Sequence, residues 1–382
     1  MMLHFSEAEF ARRRAALDAE RRARGLDALL IFAQESMYWL TGYDTFGFCF
    51  FQCLIITEAD SVLLTRSADL RQAQLTSNIA DIRIWPDGAD ANPAEDLVRL
   101  LSELGLHGKR LGVEFDTHGL TAHNYRRLTA AIDRKSELID ASDLVSTLRL
   151  VKSEEEIACV RKAAELADTA LDVAVATIRP GISEAEVLAA MQAAVLRGGG
   201  DYPGNPFIIG SGDHALLCRY SSGRQAIRTQ DQVTLEWAGV WRQYHAAMMA
   251  TPIVGEPTDR QKLLHAAAEE ALLACEDTLH PGATMGDVFS AHARTLDAHG
   301  LAAHRLKACG YALGTRYAPS WMEHQMFYED APTVIRPGMV FFLHMILMDS
   351  ESGNAMTLGR TSLVGEVGSQ PLSGHDTALI VI

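Results

Sequence analysis

Short apolar runs separated by turn residues dominate the first part of the chain. The runs ALLIFA, FFQCLIIT, VLLT, IRIW and RLGVEF predict strands, and apolar Tyr38 to Phe48 predicts further strand core. Ahead of them, Phe10 and Leu17 recur among charged residues between Phe5 and Gly25, a spacing typical of a surface helix. This alternation predicts an α/β domain over residues 1–148.

The pattern changes to long amphipathic helices at LVKSEEE. Ser153 with Glu156 three residues later predicts a capping box, and Ile157 and Val160 continue an apolar face. A second box, Ser183 with Glu186, is predicted after the Pro-Gly turn RPG, and the chain from 149 to 382 continues in the same style.

This second part of the chain contains a repeat. HPGATMGDV follows the same plan as RPGISEAEV, with Thr284 capping ahead of Asp287. The two Pro-Gly helix pairs align without a gap at a constant offset, 282 − 181 = 101 residues. We therefore predict a duplicated unit of helix, turn, helix and strands over 149–382, with two halves related by a pseudo-twofold and a ligand cleft between them.

The segment LEWAGVWRQYHAAMMAT, residues 235–251, predicts two strands joined by a tight turn at Trp241 to Gln243. It carries a single carboxylate, Glu236, whose ordinary pKa is about 4.3. A glutamate in an apolar strand is costly unless it is paired, which indicates a purpose. That purpose is chemistry in the cleft or, alternatively, an ion pair with Arg219. His245 could transfer protons in the same cleft or pack at a strand end.

Composition limits the ligand class. The 382 residues are 48% hydrophobic and carry a formal net charge of −15, which argues against nucleic acid or an anionic membrane surface as partner. We expect a small-molecule substrate. The charged N-terminus and the absence of a long apolar run predict a cytoplasmic protein. The 6 cysteines stand singly, without CxxC spacing, as free thiols do.

Several motifs occur in an order that resembles the creatinase, prolidase and methionine aminopeptidase family. They are LVKSEEEI, SGDHALLCR, the 235–251 hairpin, CGYALG, RPGMVFFLHM and GRTSLV. The resemblance implies a pita-bread catalytic domain after an N-terminal creatinase/prolidase-like domain. It also implies a homodimer, because in family members the first domain can overhang the partner's cleft.

Metal-dependent members hold two divalent ions with five ligands, and the resemblance carries those ligands onto Glu236, Ala247, Tyr311, His344 and Gly359. Glu236 is the one carboxylate left. The family's RT arginine corresponds to Ala250 and its SG-motif histidine to Arg219. Hard cations need clustered oxygen ligands, so we expect no metal and no other cofactor. A single ion on Glu236, Tyr311 and His344 is the alternative.

Within the family, GGDYPGNPFIIGSG, ALLCRY and the hairpin resemble the metal-free branch that includes ectoine hydrolase and creatinase. This implies metal-independent hydrolysis of a C–N bond in a small zwitterionic cyclic amidine or amide, with Glu236 as nucleophile or base. The alternatives are a metal-dependent Xaa-Pro peptidase, a creatinase-like amidinohydrolase, a lyase acting on a sulfonium zwitterion, or a binding protein without catalysis.

Further residues complete the predicted site. His245 and His344 would exchange protons, and Tyr311 would donate to a developing oxyanion. Arg219 would bind a substrate carboxylate. We also assign Tyr220, Trp237 and Trp321 to substrate binding. Ordinary packing remains the alternative for His344, for Tyr311 and for both tryptophans.

Overall fold

The computed structural model describes residues 3–219 and 225–382. The chain divides into two compact units, Met1–Arg149 and Leu150–Ile382, so the division lies one residue after the predicted boundary at 148. Both units mix helices and strands, which confirms the α/β class. No helix in the described part of the chain has the length and apolar character needed to cross a membrane.

The first unit is a mixed sheet covered by helices. Its helices are α1 (Glu7–Ala23), α2 (Gln34–Thr41), α3 (Leu70–Thr76), α4 (Pro93–Glu103), α5 (Ala122–Ala131) and α6 (Ser142–Leu148). Its strands are β1 (Ala28–Ile31), β2 (Cys53–Ile56), β3 (Ser61–Arg66), β4 (Asp81–Trp85), β5 (Arg110–Val113) and β6 (Glu137–Asp140). They form a 6-stranded sheet in the order β4-β3-β2-β1-β5-β6, in which β1, β5 and β6 run parallel.

The predicted surface helix is confirmed as α1, and it begins after Ser6, whose side chain accepts a hydrogen bond from the Glu9 N–H. The prediction of strand core from Tyr38 to Phe48 is wrong. Tyr38 lies in α2, which ends at Gly42 in the left-handed region with φ 82°. The prediction failed because α2 is buried on almost every side. Its sequence therefore lacks the polar face that reveals a helical period, and it looks like a short apolar strand.

The second unit contains the predicted duplication. Its helices are α7 (Glu154–Thr177), α8 (Glu184–Arg197), α9 (Asp259–Thr278) and α10 (Met285–Ala298). Its strands are β7 (Ile208–Ser211), β8 (Asp231–Trp241), β9 (Tyr244–Ala250), β10 (Ile253–Val254), β11 (Gly310–Ala312), β12 (Val340–Asp349), β13 (Asn354–Val364) and β14 (Ser369–Pro371). The 8-stranded sheet follows the path β10-β8-β9-β13-β12-β11, with β7 paired to β8 and β14 to β13.

Capping explains where the long helices begin. Ser153 and Glu156 form the predicted capping box of α7, and Thr284 and Asp287 form the one of α10. Ser183 also caps α8, but its hydroxyl accepts from the Ala185 N–H, so the predicted reciprocal bond with Glu186 is not the one observed.

The two halves of this unit make equivalent hydrogen bonds at their Pro-Gly turns. Gly181 donates to the Ile227 carbonyl, and its counterpart Gly282 donates to the Ile335 carbonyl. The spacing from these isoleucines places Glu236 and His344 at equivalent strand positions, since 236 − 227 = 344 − 335 = 9. The β8–β9 hairpin therefore corresponds to the β12–β13 hairpin, and the pseudo-twofold prediction is confirmed.

The β8–β9 turn is as tight as predicted. Arg242 and Gln243 both have positive φ, 51° and 66°, as a two-residue type I′ connection requires. The hairpin register that follows pairs Val240 with His245 and Glu236 with Met249.

Candidate functional site

The candidate site is a row of side chains across four neighbouring strands. Glu236 on β8 pairs with Met249 on β9, Met249 with Gly359 on β13, and Gly359 with His344 on β12. Directly paired residues project from the same face of a sheet. The register therefore places the acid of the first half and the histidine of the second half on one face, with Gly359 beside His344.

Tyr311 links the two ends of this row. It lies on β11 opposite Phe342, and therefore on the face that carries His344. Its hydroxyl donates to Glu236 Oε1 at 3.4 Å, and its ring centroid is 5.7 Å from that of His344. The Trp321 indole Nε1–H donates to the same hydroxyl at 2.8 Å. The indole thereby orients the phenol toward the carboxylate.

Glu236 is 6% exposed, and burial raises its pKa to about 7. The charge of Arg219 and the Tyr311 hydrogen bond lower the pKa and so act against the burial effect. Arg219 itself is exposed to solvent. Glu236 is thus a desolvated carboxylate within the electrostatic influence of an exposed guanidinium.

His344 is held neutral. It is buried, and this burial, with the charges of His292 and Arg219, lowers its pKa to about 3. Its Nδ1 has no hydrogen-bond partner among the described residues. At neutral pH the imidazole is therefore uncharged and brings no charge to the site, and its predicted role in proton exchange stays a prediction.

The predicted meeting of His245 with Glu236 is not observed. Both side chains lie on the same face, but Val240, the partner of His245, lies four positions after Glu236, which is about 13 Å along a strand. His245 is fully buried, its Nε2 accepts from the Gly204 N–H at 2.9 Å, and burial lowers its pKa to about 4. It packs against Trp321 with ring centroids 6.3 Å apart.

Assigning Trp237 to substrate binding is wrong. Trp237 follows Glu236 directly and therefore projects from the other face of the sheet. There it is fully buried, and its indole donates to the Ala167 carbonyl of α7 at 2.9 Å. Trp321, by contrast, does lie at the site through Tyr311. Tyr220 falls outside the described residues.

Two residues that the sequence interpretation did not single out act on His344, Phe342 through ring packing and His292 electrostatically. Phe342 lies two residues before it, with ring centroids 5.5 Å apart. His292 on α10 is 1% exposed, and neither of its ring nitrogens has a hydrogen-bond partner among the described residues. Burial lowers the pKa of His292 to about 4. The repeat could have pointed to His292. The aligned residue of the first half is Met191, since 292 − 191 = 101, so a histidine stands in the second half where the first half has an apolar residue.

The residues at the family's ligand positions do not fit a pair of divalent ions. Ala247 offers no ligand atom, and Gly359 has no side chain. A Cβ at Gly359 would lie 2.6 Å from the Leu343 carbonyl oxygen and 3.0 Å from the Phe342 ring, so the space for a carboxylate there is filled. Among the described residues, no cluster of three or more His, Cys, Asp or Glu side chains is arranged to hold a metal ion.

Comparison with known proteins gives the family of both units. Residues 13–151 match the creatinase/prolidase N-terminal domain and residues 158–366 match metallopeptidase family M24. An uncharacterized hydrolase/peptidase of Sinorhizobium fredii is 29% identical over 393 residues, covering 100% of this chain and 99% of that relative. The ectoine hydrolase of Halomonas elongata is 27% identical over 397 residues, covering 99% and 98%.

Solved structures share the fold. The prolidase from Thermococcus sibiricus superposes with a TM-score of 0.88 at 19% identity, covering 99% of this chain and 100% of that one. The second unit therefore has the pita-bread fold that the resemblance implied.

Proposed function

Because the chain belongs to metallopeptidase family M24 and is a hydrolase of that family, we propose that it hydrolyses a C–N bond in a small zwitterionic cyclic amidine or amide without a metal ion. The observation that carries this proposal is that Tyr311 joins a buried carboxylate to a neutral imidazole: its hydroxyl donates to Glu236 Oε1 and its ring packs beside His344, while Ala247 and Gly359 offer no carboxylate for a metal ion.

The proposed roles follow from the contacts. Arg219 binds the substrate carboxylate, which brings the amidine or amide carbon to Glu236. Glu236 either attacks that carbon or removes a proton from water, and Tyr311 stabilises the oxygen that gains charge. Water supplies the oxygen of the new acyl group, the ring C–N bond breaks, and the leaving nitrogen takes the proton, with His344 as the neutral group that accepts and returns it.

The relative named ectoine hydrolase supports a cyclic amidine as substrate, and we propose ectoine or a close analogue. Its ring carries one delocalised cation and one carboxylate, which matches one buried carboxylate and one exposed guanidinium. We further propose a homodimer in the cytoplasm, as the family resemblance implies.

The decisive experiment compares Glu236→Gln with the native protein, using ectoine as substrate and following the ring-opened product by chromatography. Glutamine keeps the volume but cannot attack or take a proton, so we expect turnover to fall by at least about a thousandfold. Prior treatment with a chelator should leave native turnover unchanged. Retained activity in the variant would show that Glu236 is neither the nucleophile nor the base.

The same preparation separates the proposal from a metal-dependent Xaa-Pro peptidase. That enzyme would cleave Xaa-Pro dipeptides, lose its activity with chelator and regain it with divalent ions. Elemental analysis showing two bound ions per chain, together with dipeptide cleavage, would replace our proposal with the peptidase.

A further inference from the structure

Glu184 is a buried carboxylate outside the row. It is the first residue of α8 and has no exposed surface. Its Oε1 accepts from the Ser211 N–H at 2.6 Å and from the Ser211 hydroxyl at 2.7 Å, and its Oε2 accepts from the Gln225 N–H at 3.0 Å. Three donors converge on one side chain, so both carboxylate oxygens have hydrogen-bond partners although the residue is buried.

These donors lie at both ends of one segment. The segment begins at Ser211, the last residue of β7, and ends at Gln225. Arg219 lies between these two residues. The described part of the segment also contains the partly buried Cys218, next to Arg219 in the chain. A single carboxylate therefore fixes the entry and the exit of the segment that carries the exposed guanidinium.

The second half of the repeat forms the same turn without such an acid. Glu184 corresponds to Met285, and their backbone N–H groups make equivalent bonds, to the carbonyls of Gln225 and Thr333. The turn therefore folds with an apolar side chain at this position. Since burying a carboxylate costs free energy, its presence in the half that carries Arg219 points to a need beyond the turn itself.

We propose that Glu184 is a positioning residue for substrate binding: it holds both ends of the Arg219 segment so that the guanidinium faces Glu236 and receives the carboxylate of the substrate. The position of the guanidinium is consistent with this, because the charge of Arg219 acts on both Glu236 and Tyr311. The identity of the ligand rests on the proposed function, but the positioning of the segment does not.

The first test needs no substrate. Iodoacetamide alkylation of Cys218, followed by mass spectrometry of the peptide, reports how often the segment opens. Glu184→Gln keeps the size but presents an N–H₂ group to a donor, so we expect alkylation about tenfold faster. The matched control is Glu186→Gln, the same change at an exposed position of the same helical turn, and it should leave the rate unchanged. Buried Cys53 and Cys159 serve as internal references for the global fold.

The second test measures binding of ectoine by calorimetry in the inactive Glu236→Gln background. Adding Glu184→Gln should weaken binding about tenfold, whereas adding it to a protein that already lacks Arg219 through Arg219→Ala should change binding little, because the two residues act through one contact. In the active protein, Glu184→Gln should raise KM and leave kcat within a few-fold. A purely structural role would give additive losses with Arg219→Ala.

The outcomes are separable. Unchanged Cys218 alkylation and unchanged affinity in Glu184→Gln would overturn the positioning role. If the native protein does not bind ectoine, the proposed substrate fails, and the alkylation rate still decides the role of Glu184. If Glu184→Gln does not fold, Ser211→Ala removes one donor alone and should give the same effects at smaller size; no effect there would count against the proposal.

Discussion

The two halves of the pita-bread unit have the same sequence of helices and hairpins but carry different side chains at equivalent positions. The hairpins β8–β9 and β12–β13 are equivalent, and the pair Met249 and Gly359 joins them near the pseudo-twofold. The differences, first half against second, are Glu236 and His344, Met249 and Gly359, Gly210 and Tyr311, Glu184 and Met285, and Met191 and His292.

These differences make the halves complementary. The first half supplies the carboxylate and the guanidinium, and the second half supplies the phenol and the neutral imidazole. Tyr311 of the second half donates to Glu236 of the first. Its counterpart Gly210 cannot carry a side chain, because a Cβ there would lie 2.3 Å from the His214 carbonyl oxygen. A pair of metal ions needs clustered acids, whereas this division of an acid and a base suits proton transfer around one bond.

The largest effect expected after loss of Glu236 itself comes from breaking the contact between the halves. Tyr311→Phe keeps the ring packing against Phe342 and His344 but removes the hydroxyl that donates to Glu236. Since loss of one well-placed donor costs roughly a hundredfold in turnover, we expect a fall in kcat of that order with ectoine.

The matched control is Tyr328→Phe, the same deletion at a tyrosine that is 48% exposed in the same half. Its kcat should equal that of the native protein. Equal rates for Tyr311→Phe and Tyr328→Phe would show that the Tyr311 hydroxyl contributes nothing to the chemistry, and the contact between the halves would then be structural only.

A smaller effect is expected where the second half lacks a side chain. Gly359→Ala places a methyl group 2.6 Å from the Leu343 carbonyl oxygen and 3.0 Å from both the His344 Cα and the Phe342 ring. Overpacking of this kind lowers the free energy of unfolding by about 2 kcal/mol, measured by urea denaturation. Gly368→Ala is the control, because a Cβ there meets nothing within 4 Å. Equal stabilities would mean that a carboxylate could be restored at 359.

Much of this comparison was predictable from sequence, because Pro-Gly turns and capping residues repeat at a constant offset. The two halves, the tight β8–β9 turn and the cluster of Glu236, Tyr311 and His344 are all observed. The exclusion of Trp237 was also within reach, since neighbours on a strand face opposite sides.

Other features could not be predicted because they depend on distant contacts. His245 is fixed by the Gly204 N–H, which comes from a loop with no periodic pattern. The hydrogen bonds of Glu184 reach residues that are 27 and 41 positions away in the chain. The Phe342 ring occupies the space beside Gly359 because of packing between neighbouring strands. The apolar run that contains Phe342 does not reveal where its ring will lie.

The third prediction concerns the effect of the Arg219 charge on the Glu236 carboxylate, both of which belong to the first half. Burial raises the pKa of Glu236 to about 7, and Arg219 acts to lower it. If Glu236 works as an anion, kcat/KM rises with pH through about 7 in the native protein. Arg219→Gln removes the opposing charge, so the pKa of Glu236 moves up and the rise occurs at higher pH. Loss of substrate binding adds a factor that does not depend on pH.

The measurement is therefore the ratio of native to variant kcat/KM across the pH range. We expect the ratio to be about tenfold larger at pH 6 than at pH 9, since each unit of pKa changes the ionised fraction tenfold on the acid side. Arg228→Gln removes the same charge from an exposed arginine just after the segment and should give a flat ratio. A flat ratio for Arg219→Gln as well would mean that Arg219 only binds substrate, and that the desolvated carboxylate is ionised by contacts from the second half.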